Sequence, residues 1–175
     1  MKYSNFYNYF EKFTQNDFTK YLKKYVRNKN INVFDIGCYE GTFSEKIKTL
    51  FKGNKINFYL FDPNPNLSIK KFKINKIGIS SKNGEEFFLL NKYFPHSGSS
   101  LNSIVKNDTL WNFSRNFLFL KKDNYKKIKI KVKKLNLFCK KNKIKKIDIL
   151  KIDTEGHEMK VLKGSIDILR NTNVI

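Results

Sequence analysis

The sequence predicts an α/β protein in which a mostly parallel sheet is covered by helices on both faces, as a three-layer sandwich. Short apolar runs rich in strand formers, INVFDI at 31–36, INFYLF at 56–61 and IDILKI at 147–152, alternate with segments of helical apolar spacing. Each run ends in a turn that carries acid or glycine: DIGCYEG, FDPNP and DTEG. Repeated strand-helix alternation builds parallel sheets that hold ligands at the carboxyl ends of their strands.

In chain order, Phe6, Tyr9, Phe10, Phe13, Phe18, Tyr21, Leu22 and Tyr25 recur near a helical period, so residues 1–30 read as a helical lead-in to a domain spanning 31–175. Ile31–Ile36 is the first strand, and Phe43, Ile47, Leu50 and Phe51 mark the helix after its turn. Ile56–Phe61 is the second strand, and its two following prolines can open another helix. Phe72–Ile79, Glu85–Leu90 and Lys126–Leu135 read as further strands; alternation of Ile128, Ile130 and Val132 with lysines suggests that the last is half-exposed or at an edge. Asn91–Asn107 is loop chemistry, and Asp108–Lys122 reads as helix. After Ile147–Ile152, Met159, Leu162, Ile166 and Leu169 mark a final helix. Asn173-Val174-Ile175 then begins a strand, so the sheet is expected to lack its last strands.

A chain of 175 residues with 40% hydrophobic residues suits one folded unit. The net charge of +21 invites a polyanionic partner. Only Arg27, Arg115 and Arg170 among the basic residues are arginine, however, and the wealth of Lys, Asn, Ile and Phe follows A/T-rich codons. The charge is spread along the chain, and no nucleic-acid partner is expected from it. Cys38 and Cys139 lack metal or redox spacing. With no signal peptide and no apolar span, the expectation is a soluble cytoplasmic protein.

Three motifs point to chemistry. In Asp35-Ile36-Gly37-Cys38-Tyr39-Glu40-Gly41 the strand-turn-helix setting suits a nucleotide, but Tyr39 stands where a pyrophosphate loop would have its second glycine. That argues against a nicotinamide oxidoreductase. A ligand with an amino-acid end and a nucleoside end fits better, because Asp35 can attract an ammonium or sulfonium; S-adenosylmethionine is such a ligand. Asp62 follows at about the 20-residue spacing of a ribose-binding acid. Asp153 ends the 147–152 strand, where it could serve as a base or, with Glu155, hold a divalent cation. Two acids do not define a metal site. Equally, Asp153 or Thr154 could cap the next helix, with Glu155 and Glu158 at its positive end.

DIGCYEG, FDPNP, the SGSSL of Ser97–Leu101, KKLNLF and the run from Ile147 through DTEGHE to Gly164, in that order, closely resemble the FkbM family of S-adenosylmethionine-dependent methyltransferases. The resemblance implies a Rossmann-like methyltransferase fold and methyl transfer to oxygen on a sugar, glycan or natural-product hydroxyl. It makes Asp35, Gly37, Gly41 and Asp62 cofactor contacts, with Cys38 and Asn64 beside them. Lys151 and Ser100 are the candidate acceptor contacts; Lys151 could instead neutralise Asp153. His157 carries no assigned role. The rival readings are a nucleic-acid methyltransferase or binding module that uses the lysines, and an inactive fragment.

Overall fold

A computed structural model describes residues 18, 20–91, 101 and 125–175. The repeat from Phe6 to Phe13, most of the Asn91–Asn107 loop including Ser100, and the helix expected over Asp108–Lys122 lie outside them. The described chain begins with a helix, α1, at residues 20–25. There follow β1 (Asn30–Ile36), α2 (Thr42–Leu50), β2 (Lys55–Phe61), β3 (Ile74–Asn75), β4 (Gly78–Ile79), β5 (Gly84–Asn91), β6 (Tyr125–Lys133) and α3 (Leu135–Lys141). β7 (Ile147–Ile152), α4 (Glu158–Lys163), α5 (Ile166–Leu169) and β8 (Thr172–Val174) complete it.

Five strands form one parallel sheet in the order β3-β2-β1-β7-β8. Its central strands are near-continuous apolar runs because both faces are covered. Phe34, Ile36 and Leu150 pack on one side with Leu135, Cys139, Val161 and Ile168 of the helices after β6 and β7. Ile31, Val33 and Ile149 pack on the other with Leu22 and Val26 of the α1 segment and Ile47 of α2. The described part of the lead-in thus belongs to the core. At the amino-terminal end of the sheet, buried Asp148 accepts from Asn32 N at 2.9 Å and Asn173 Nδ2 at 3.2 Å, tying β1, β7 and β8 together.

Four local expectations are corrected. No helix follows β2, because Asp62 Oδ1 accepts from Asn64 N and Asn64 Oδ1 from Asn66 N, successive side-chain turns that compete with helix formation. The strand expected over Phe72–Ile79 splits where Asn75 O accepts Ile77 N, sending β3 and β4 to different sheets. The edge reading of β6 is corrected at one end alone: β4 pairs with Val132 and Lys133, while the rest of β6 has β5 as its one partner among the described residues, and Lys127, Lys129 and Lys131 are exposed. The last helix is two short ones whose inner face is Val161 and Ile168, while Met159 and Ile166 are exposed.

The break between α4 and α5 falls at Gly164, where a Cβ would stand 2.0 Å from Ser80 O, so the backbones meet there without a side chain between them. Gly164→Ala should therefore lower stability by about 1–3 kcal/mol, the usual cost of overpacking, and shift the urea midpoint accordingly. An unchanged midpoint would show that this contact is slack.

Candidate functional site

β1 pairs with β2 and with β7 so that Ile36 lies beside both Phe61 and Ile152. The next residue of each strand is therefore Gly37, Asp62 or Asp153, and the three form one row at the carboxyl end of the sheet. Backbone bonds fasten the row: Gly37 N and Cys38 N donate to Phe61 O at 2.9 and 3.2 Å, and Asp153 N donates to Ile36 O at 2.9 Å. A Cβ on Gly37 would lie 1.8 Å from Asp153 O. Gly37 thus lets the turn press against β7.

The turn continues through Tyr39 to Gly41, the residue before α2, which has no side-chain cap. Tyr39 takes φ 44, a left-handed conformation that a glycine would adopt without strain. Its N–H is aimed at Asp62 Oδ2, 3.1 Å away. Asp62 is half-buried, and each of its oxygens accepts one backbone N–H, from Tyr39 and from Asn64 at 2.9 Å. Burial pushes its carboxyl up to about 6, with Asp35 adding to the shift and Asn64 N–H and Lys151 opposing it.

Beneath the turn Asp35 is fully buried. Ser44 Oγ donates to its Oδ2 at 2.8 Å, and Lys151 Nζ stands 3.3 Å from its Oδ1. Burial raises its carboxyl above the ordinary value against the pull of both partners. Lys151 Nζ also donates to Gly37 O at 2.7 Å and lies 3.4 Å from Asp153 Oδ2. The ammonium thus gathers one oxygen from each of three residues around the rim.

The other candidate side chains are placed as follows. Asp35 is covered and holds Lys151 and Ser44. Lys151 is turned inward toward Asp35 and Gly37 O, with Asp153 also beside it. Cys38 is buried with Leu60 and Leu67, its Sγ donating to Tyr39 O within the turn at 3.8 Å, and burial, reinforced by Asp62 and Asp35, pushes its thiol far up. Asn64 is buried and shapes the Asp62 turn. Gly41 lies at the mouth of α2, and Asp153, with 67% of its side chain exposed, is more open to solvent than Asp62, the other acid of the row.

Neither Asp153 nor Thr154 caps the next helix, although Glu158 does lie in its first turn. His157 stands before α4, and no side chain caps it. Instead Glu158 Oε1 accepts from Thr154 N, Thr154 Oγ1 and Gly156 N at 2.9–3.1 Å, folding the loop around Glu155, which is exposed at φ 52. Burial raises the Glu158 carboxyl, but its own backbone N–H together with those donors outweighs it and the net shift is downward. No group of three metal-ligating side chains occurs among the described residues.

Sequence reasoning missed Ser44, saw Glu158 only as an acid at the helix's positive end, and gave the buried His157 no role. His157 Nε2 lies 3.0 Å from Ser80 Oγ, which donates to Glu86 Oε1 at 2.8 Å and so joins the two sheets. Burial and Lys160 lower the His157 pKa, against Glu86 and Glu158. The signal for Ser44 is its position one turn into α2, facing back toward Asp35. Ser80 and Glu86 are far from His157 in sequence and carry no local signal.

Removing Lys151 leaves a buried acid without its cation. Lys151→Met should cost about 3 kcal/mol near neutral pH, as for other broken buried pairs. Because the folded-state pKa of Asp35 is raised, its penalty grows as pH rises and shrinks as the carboxyl takes up a proton. The stability gap between variant and parent should therefore narrow from pH 8 to pH 5 in urea titrations; a gap independent of pH would remove Asp35 from this account.

The described helices include none long and apolar enough to cross a membrane. A family model described as the methyltransferase FkbM domain matches residues 35–175. No curated protein and no solved structure matches the chain. The parallel sheet with helices on both faces is the Rossmann-like α/β fold that such a domain implies.

Proposed function

Since the chain belongs to the FkbM methyltransferase family, we propose that it moves the methyl group of S-adenosylmethionine to the oxygen of a hydroxyl on a sugar, glycan or natural product. The observation that carries this reading is the row of Asp62, Gly37 and Asp153 at three neighbouring strand ends. It sets a ribose-type acceptor, a close backbone turn and an open carboxylate side by side.

The residues present fit that cofactor. Asp62 keeps lone pairs on both oxygens beyond its two backbone bonds and can accept from ribose hydroxyls. The first N–H groups of α2 lack a side-chain cap and can receive the carboxylate of the amino-acid end. When bound, S-adenosylmethionine supplies a methyl carbon already activated by its sulfonium. The protein's share is to align the acceptor and exclude water. Asp153 is the acid that we assign to take the hydroxyl proton as the oxygen-carbon bond forms and the carbon-sulfur bond breaks. Lys151 keeps that carboxylate at the rim, and the loop through Glu155 is available to shape the acceptor side.

Calorimetry with S-adenosylhomocysteine should give binding to the parent and a loss of about 1–3 kcal/mol in Asp62→Ala, the range for a hydrogen bond to a charged group. Equal affinities would refute the ribose assignment. Hydroxyl donors favour the ionised carboxylate, so affinity should fall as pH drops through about 6 and level off above it. Asp153→Asn should leave S-adenosylhomocysteine binding intact while slowing transfer roughly 10²–10⁴-fold. Undiminished turnover would remove Asp153 as the base.

A further inference from the structure

The lysines that look evenly scattered in the sequence are gathered by the pleat of β6. Its inward residues Ile128, Ile130 and Val132 pack with Phe88. Lys127, Lys129, Lys131 and Lys133 therefore share the opposite face, at intervals of roughly 6.8 Å. β5 runs antiparallel beside them, with Phe87 opposite Lys129 and Glu85 opposite Lys131. Phe87 is 53% exposed and is the one large exposed apolar side chain of these two strands; Lys127 Nζ lies 4.1 Å from its ring centroid. Glu85, at 3.1 Å from Lys129, answers only one of the four charges.

The basic surface continues past the end of β6. A cleft of about 330 Å³ lined by Lys131, Lys133, Asn83, Leu137 and the one acid Glu85 adjoins another of about 660 Å³ that shares Asn83 and Leu137 and adds Lys134, Lys140 and Lys145. The acid there, Asp167, accepts from Asn136 Nδ2 at 2.8 Å. Lys145 lies just before β7, so this path leads toward the amino-terminal end of the sheet, away from the rim that holds Asp153.

A row of four like charges with one acid to answer it raises a positive potential along this face that attracts an anionic partner. We propose that this face, from Phe87 along β6 into the cleft beside α3, binds a single-stranded nucleic acid. The lysines would contact successive phosphates, and one base would stack on Phe87, releasing the Lys127 ammonium to a phosphate; a basic groove with an aromatic platform is how such strands are held. An anionic bilayer would be met by several protruding apolar side chains, and this strand pair offers one.

Fluorescence anisotropy with a labelled oligouridylate, on the full chain and over a range of salt, tests this. The parent should bind with a steep salt dependence. Replacing Lys127, Lys129, Lys131 and Lys133 together by Gln should flatten the log-log slope by roughly 0.7 for each lost contact. Phe87→Ala should weaken oligouridylate roughly tenfold, Phe87→Tyr should retain it, and neither should alter binding of inorganic polyphosphate. The proposal is overturned if the lysine variant binds as the parent does, if Phe87→Ala affects both probes alike or neither, or if phosphatidylserine vesicles compete the oligouridylate away at equal charge. Circular dichroism on each variant confirms that the sheet is intact.

Discussion

Everything at the carboxyl end of the sheet rests on one buried charge. Asp35 sits under the turn, with Ser44 on one oxygen and the Lys151 ammonium 3.3 Å from the other. A carboxylate so placed is tolerated only when paired. The same ammonium holds Gly37 O and stands beside Asp153, so the cation that balances the core also fixes the shape of the rim. Stability and the arrangement of candidate catalytic groups are therefore coupled through a single side chain.

The second constraint is steric. Gly37 lets the turn meet Asp153 O, and Gly164 lets the helical layer meet Ser80 O. These are close approaches of backbone to backbone. They explain why the glycine of the β1 turn matters to the fold whatever ligand lies above it, and why Asp62 and Asp153 stand on either side of it in the same row.

The sequence was most legible where burial on both faces leaves an unbroken apolar run. Ile147–Ile152 is a strand over its full predicted length, and INVFDI and INFYLF differ from β1 and β2 by one residue at the start. It was least legible where local side-chain bonds or distant packing decide. The Asp62 and Asn64 turns suppress the helix that two prolines seemed to open, and Gly164 divides a helix whose periodicity looks continuous. The motifs marked the right rim, since Gly37, Asp62 and Asp153 meet there. They could not tell which acids would be covered: the inward turn of Lys151 and the burial of Asp35 depend on α2 closing over β1, which brings in Ser44. Alternation in β6 marked an open face correctly but not the pairing of its last two residues with β4, because pairing is set by segments elsewhere in the chain.

The link between the two sheets also has a direction. Ser80 has one hydroxyl proton, and it is given to Glu86 Oε1. The contact to His157 is then met by an Nε2–H, the tautomer in which both groups of the pair are satisfied. The imidazole that precedes α4 thus serves as a donor toward Ser80, a direction imposed from the far sheet by the carboxylate of Glu86.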